Sequence, residues 1–139
     1  MIDPLKDYPG YLLRRSSLTA MASLAKRLEG LSIRPTEASV LCVIAANPNS
    51  TQSDIGRLLD IASANMAPLI SRLADRELLE RLPMDGRSHG LALTRAGRTL
   101  TRQIQGVIDQ HEAALLARIP VAQRSAFLAG LRALVSSES

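Results

Sequence analysis

The sequence predicts a mainly α domain with one small β-hairpin set inside it, an α+β class in which helices dominate. Three observations carry this. Apolar residues recur at steps of three and four over most of the chain. The period changes to alternation only between Leu79 and Leu93, around the turn chemistry of Pro83-Met84-Asp85-Gly86. Cap and stop residues bracket each periodic stretch.

The elements follow in order. Residues 1–10 carry two prolines and a glycine and read as an irregular arm. From Tyr11 a helix is expected, with Leu18, Met21, Ala22, Ala25 and Leu28 as its apolar stripe and Gly30 as its stop. Arg34-Pro35-Thr36-Glu37 opens a second helix, which Asn47-Pro48 ends. Thr51 and Asp54 have the spacing of a capping box, and Ile55, Leu58 and Leu59 form the apolar face of a short third helix. After the tight connection Ile61-Ala62-Ser63, with Ser63 expected as cap, a fourth helix buries Met66, Leu69, Ile70 and Leu73. Pro68 falls in its early turns. The strands read as Leu79–Pro83 and Gly90–Leu93. Thr94 caps a long helix lined by Leu100, Ile104, Val107, Ile108, Ala114 and Leu115, and Pro120 breaks it. A last helix carries Phe127, Leu128, Leu131, Leu134 and Val135.

Composition narrows the function. The chain has 139 residues, 46% hydrophobic and 22% charged, which suits one globular domain and excludes disorder. No apolar run approaches the length of a membrane helix, the start lacks a signal pattern, and the lone cysteine suits a cytoplasmic protein. Two histidines and one cysteine leave little material for a metal site or a nucleophile–base pair. No phosphate-binding glycine loop is present, so neither an enzyme nor a cofactor is expected. The net charge is +4, and fifteen of the seventeen basic residues are arginine, the side chain that pairs bidentately with phosphate and guanine. Between Arg57 and Arg102 eight arginines face five acids, a surplus of three.

A short helix, a tight turn, a second helix and a β-hairpin make a winged helix-turn-helix, with long helices flanking it. In that arrangement the second helix enters the major groove of double-stranded DNA. Its outward residues are Ser63, Ala64, Asn65, Ala67, Pro68, Ser71 and Arg72. Asn65 suits bidentate bonding to adenine, and the small residues permit close approach. Arg72 reads equally as a phosphate contact or as an ion-pair partner of Asp75 or Asp85. The hairpin tip, Asp85-Gly86-Arg87-Ser88-His89, presents an arginine suited to a narrow minor groove.

Residues 35–100 resemble the MarR family of bacterial transcription regulators, and the flanking helices extend the likeness over nearly the whole chain. The resemblance rests on Ile70-Ser71-Arg72-Leu73-Ala74-Asp75-Arg76-Glu77-Leu78-Leu79-Glu80-Arg81, on Asp85-Gly86-Arg87-Ser88, and on Leu93-Thr94-Arg95-Ala96-Gly97. It implies three parts: an N-terminal arm and dimerisation helix (1–34), a DNA-binding lobe (35–100) and C-terminal dimerisation helices (101–139). It also implies that Arg87 reaches the minor groove with Asp85 orienting it, and that Ser88 and His89 join the wing contacts. The expected protein is a homodimeric repressor on a pseudo-palindromic operator, released by a small molecule bound between the dimerisation helices and the lobe. This sequence departs from the family at Gly86, where many members carry a second basic residue, and at Pro68, where a helix former is usual.

Tyr8, Tyr11, Arg14 and Arg15 lie near where the resemblance places the effector. Arginine as counter-charge and tyrosine as a polar-tipped wall suit an aromatic or other organic acid; dimer contact or plain surface is the alternative use of these side chains. Cys42 reads as a small buried thiol. His111 cannot converge with its sequence neighbours Asp109 and Glu112 on a metal, because adjacent helical positions point apart. A winged helix that binds another protein instead of DNA is the competing function class.

Overall fold

The computed structural model of the chain describes residues 1–86 and 89–136. Six α-helices and a three-stranded sheet make up these residues. The first helix, α1 (Pro9–Leu28), starts two residues earlier than the apolar pattern shows, because Pro9 supplies a preset φ at the first helical position. It runs into a 3₁₀ turn over Glu29–Leu31. The left-handed residue after that turn is Ser32, with φ 52°, so the expected stop at Gly30 is displaced by two positions.

Helix α2 (Pro35–Ala46) opens as expected: Pro35 sits in the first turn, and the Arg34 N–H donates to Glu37 Oε1 at 3.0 Å. Helix α3 (Gln52–Leu59) carries a reciprocal cap. The Asp54 N–H donates to Thr51 Oγ1 at 3.1 Å, and the Thr51 N–H donates to Asp54 Oδ2 at 3.1 Å. The Thr51 amide holds the Asp54 carboxyl below its ordinary value, with the Thr51 hydroxyl and the Arg57 guanidinium adding to it. Asp60 turns the chain in a left-handed conformation, φ 56°, into α4 (Ser63–Asp75). Here the cap expectation is corrected. Ala62 occupies the N-cap and Ser63 the first helical position, so the Ser63 hydroxyl caps nothing. Pro68 is absorbed inside α4; only the Ala64 carbonyl loses its helical donor.

The sheet has order β1–β3–β2, all antiparallel. Strands β2 (Leu79–Pro83) and β3 (His89–Leu93) form the hairpin, in register from Leu79 opposite Leu93 to Pro83 opposite His89. The third strand, β1 (Ser50–Thr51), was not expected. It pairs with Leu91 and Gly90 and is too short to show a period. Strand β2 does not alternate cleanly: Leu79 is buried, but Arg81 is exposed and Leu82 half-buried. Pro83 is tolerated because β2 is an edge strand.

Helix α5 (Arg95–Leu116) begins where Thr94 Oγ1 accepts from the Gly97 N–H at 3.0 Å. A Cβ at Gly97 would overlap the Leu78 carbonyl, so glycine lets α5 lie against the end of β2. A 3₁₀ turn (Val121–Gln123) leads into α6 (Arg124–Val135). The core joins Leu28, Val40, Leu41, Ile44, Ile55, Met66, Ile70, Leu73, Leu91 and Ile104. Leu24 and Leu28 reach it from α1, and Leu100, Ile104, Val107 and Ile108 reach it from α5. Beyond these positions both helices run out of the core, and α6 buries no residue at all.

Candidate nucleic-acid interface and effector cavity

Helix α4 divides sharply into two faces. Met66, Leu69, Ile70 and Leu73 are buried, whereas Ser63, Ala64, Asn65, Ala67, Pro68, Ser71 and Arg72 are all exposed. Anchoring by four apolar side chains fixes the outward face without using Asn65 or Ser71. Asn65 and Ser71 make no side-chain hydrogen bond among the described residues, so both are free for a ligand.

Arg72 pairs with a different acid from those expected. Its Nε donates to Glu37 Oε2 at 3.4 Å, not to Asp75 or Asp85. Glu37 is 5% exposed, and its other oxygen already accepts the Arg34 N–H, so the pair ties the recognition helix to the start of α2. Arg76 adds a second tie, donating to the Ser32 carbonyl at 2.6 Å. The arginine surplus is thus partly structural. Arg57 pairs with Asp54 at 2.7 Å, Arg98 donates to the Leu93 carbonyl, and Arg102 reaches Thr99 Oγ1. Among the described arginines of this stretch, Arg81 and Arg95 alone make no hydrogen bond or ion pair.

Arg81 and His89 face a cleft shared with Thr51, Gln52, Ser53 and Leu91. Gln52 and Ser53 also line the cleft that holds Ser63 and Arg57. One polar strip therefore runs from the start of α4, across the start of α3, to the sheet. The sequence reading missed Gln52 and Ser53; their signal was the Thr51 cap, which leaves the first α3 amides pointing outward. At the wing, Asp85 is exposed and Gly86 is left-handed at φ 79°. Arg87 and Ser88 lie outside the described residues.

A cavity of about 590 Å³ opens between α1, the outer end of α5 and α6. Arg15, Arg27, Arg118 and His111 line it, with Ser16, Thr19, Ser23, Leu115, Ile119 and Phe127. Of the four expected effector residues the structure unites two. Arg15 NH1 donates to Tyr11 Oη at 3.3 Å, and Tyr11 Oη donates to Asp3 Oδ2 at 2.8 Å. The Tyr11 hydroxyl, the Leu5 amide and Arg15 hold the Asp3 carboxyl below its ordinary value. Tyr8 is exposed, and neither it nor Arg14 lines the cavity. Cys42 is half-buried instead of buried, facing Gln105 Oε1 at 3.8 Å; desolvation, with Asp109 nearby, pushes its thiol up, away from a reactive thiolate. No cluster of metal-ligating side chains occurs among the described residues, and no described helix is long and apolar enough to cross a membrane.

A buried helix-turn-helix beside an antiparallel hairpin, with an outward helix face of small and polar residues, defines a winged-helix DNA-binding regulator of transcription. Comparison with known proteins gives the particular group. A model of the MarR family matches residues 30–88 of the chain. It is 26% identical over 120 residues to the HTH-type transcriptional repressor Rv2887 of Mycobacterium tuberculosis, covering 85% of this chain and 86% of the relative. The structure of Rv2887 with salicylic acid superposes with a TM-score of 0.74 at 25% identity over 91% of this chain and 95% of that one. The repressor CouR bound to a 23-mer DNA duplex gives a TM-score of 0.88 at 28% identity over 96% of both chains. CouR bound to p-coumaroyl-CoA gives 0.90 at 25% identity over 99% of both.

Proposed function

We propose that the chain is a homodimeric, cytoplasmic transcriptional repressor that an organic-acid effector releases from a pseudo-palindromic operator. The observation that carries the DNA reading is the divided surface of α4, apolar inward and unengaged polar outward. Residues 35–100 act as the DNA-binding lobe. Asn65, Ser63 and Ser71 meet base edges and phosphates, with Ala64, Ala67 and Pro68 allowing close approach. Gln52, Ser53, Arg81 and His89 flank the groove, and Arg87 enters the minor groove, oriented by Asp85 and with Ser88 beside it. Arg72 positions the recognition helix through Glu37.

Residues 1–34 and 101–139 supply the dimer arms and the effector site. Two recognition helices about a two-fold axis read half-sites about 34–36 Å apart. Salicylic acid and p-coumaroyl-CoA in the related structures support an aromatic acid or its thioester as effector. Arg15 serves as a counter-charge at the cavity mouth. An effector that favours a spacing unsuited to DNA, with a coupling of about 1–3 kcal/mol, releases the operator by roughly 5- to 150-fold.

Binding to a labelled duplex from the region upstream of the coding sequence tests this, with unrelated duplex as competitor. Tight, salt-steep, competitor-resistant binding that an organic acid reverses is the expected result. Affinity equal to that for unrelated duplexes, across a genome-wide selection of fragments, would overturn it in favour of a protein-binding winged helix.

A further inference from the structure

The cavity holds more positive charge than a single carboxylate needs. Three arginines line it and no acid does. Arg15 is shared with Asp3 at 3.8 Å, whereas Arg27 and Arg118 have no ion pair among the described residues. His111 adds a neutral donor to the lining. It is 5% exposed, lines the cavity, and its imidazole makes no hydrogen bond among the described residues. No described side-chain nitrogen or oxygen is sealed away without a partner, so the imidazole nitrogens are open to solvent, where a ligand can reach them.

These groups do not sit together. Leu24 and Leu28 of α1 and Leu100 to Ile108 of α5 share the core, so the two helices leave it side by side and antiparallel. Arg27 and His111 are therefore nearer the core, and Arg15 and Arg118 nearer the open end. Arg15 and Arg27 lie twelve residues apart on one helix, roughly 18 Å at 1.5 Å per residue. Between the two poles α1 lines the cavity with Ser16, Thr19, Ala20 and Ser23, and α5 lines it with Ala114 and Leu115.

We infer that this is a two-pole anion site, built for an elongated organic acid with an anionic group at each end. The outer group pairs with Arg15 and Arg118 and displaces Asp3. The inner group takes Arg27 and a hydrogen bond from His111. A second carboxylate and a phosphate share this chemistry. The inference rests on the effector reading above and specifies its ligand class.

Calorimetry on the full-length protein tests it with a matched set, biphenyl-4-carboxylate, biphenyl-4,4′-dicarboxylate and, as the phosphate arm, 4′-(phosphonooxy)biphenyl-4-carboxylate. A charge-assisted bond at the inner pole should tighten a two-ended probe by about tenfold or more. Arg27→Gln and His111→Gln should each reduce that gain to near unity, while Arg15→Gln weakens mono- and dianion alike. Arg27 is exposed, so its variant keeps the test valid if the His111 variant does not fold. Gain with the dicarboxylate alone assigns the inner pole to carboxylate, and gain with the phosphate ester alone assigns it to phosphate. Equal affinity for mono- and two-ended probes, or a gain untouched by Arg27→Gln, overturns the two-pole site while leaving an organic-acid effector standing. No binding by any probe overturns both.

Discussion

The lobe and the arms solve the burial problem in opposite ways. In the lobe, α2, α3, α4 and the sheet enclose Val40, Leu41, Ile44, Ile55, Met66, Ile70 and Leu73 almost completely. In the arms, α6 buries nothing, and α1 buries only Leu28 at its inner end. Leu18, Met21, Val121, Leu134 and Val135 stand in solvent in the single chain. A lobe that closes on itself can be carried as a rigid body. On the proposed function, a second copy covers the open arms, and their spacing responds to the effector. Exposed apolar surface of this kind marks an interaction site. The contrast explains how one small chain keeps its DNA-reading face fixed while its position on DNA changes.

The largest expected effect breaks the lobe. Ile70→Ala, at a position with no exposure, should cost about 2–5 kcal/mol in denaturant unfolding at every protein concentration. Leu134→Ala, in contrast, should lower the melting temperature in a way that depends on concentration, because its burial comes from the partner. On the DNA side, Arg87→Ala should lower operator affinity by roughly 5- to 150-fold, about 1–3 kcal/mol, and flatten the salt dependence. Fluorescence anisotropy at several salt concentrations reads both.

Smaller changes sharpen the comparison. Arg72→Ala leaves the buried Glu37 carboxylate with one backbone donor. Because Arg72 is half exposed, the loss should be about 1–2 kcal/mol, below that of a fully buried pair. Operator affinity should fall as well, and Glu37→Gln with Arg72 intact should recover part of it. The smallest effect concerns acid. Asp54 titrates below its unfolded value of 3.8, so its cap stabilises the protein above that pH and is lost as pH falls through the lower, folded value. Asp54→Asn should flatten the pH dependence of unfolding below about pH 4 and leave neutral-pH DNA binding nearly unchanged.

Legibility in the sequence followed the range of each interaction. Thr51 with Asp54, Arg34-Pro35 with Glu37, and Thr94 with Gly97 act within three or four residues, so spacing alone exposed them. The buried stripe of α4 was equally plain. What escaped was set at a distance or by competition. Strand β1 exists because Leu91 and Gly90 offer it partners. Ser32 turns the chain where glycine chemistry pointed to Gly30. Arg72 found Glu37, thirty-five residues away, over acids close to it in sequence. The cavity was seen only at Arg15, near the chain's start; Arg27, His111 and Arg118 meet it only once α1 lies against α5.

Sedimentation velocity of the double variant Phe127→Asp, Leu134→Asp, paired with its thermal melt, tests the division between lobe and arms most directly. The account predicts a monomer that still melts cooperatively and binds operator far more weakly than the parent dimer. A variant that remains dimeric, or one that loses all cooperative structure, would contradict it.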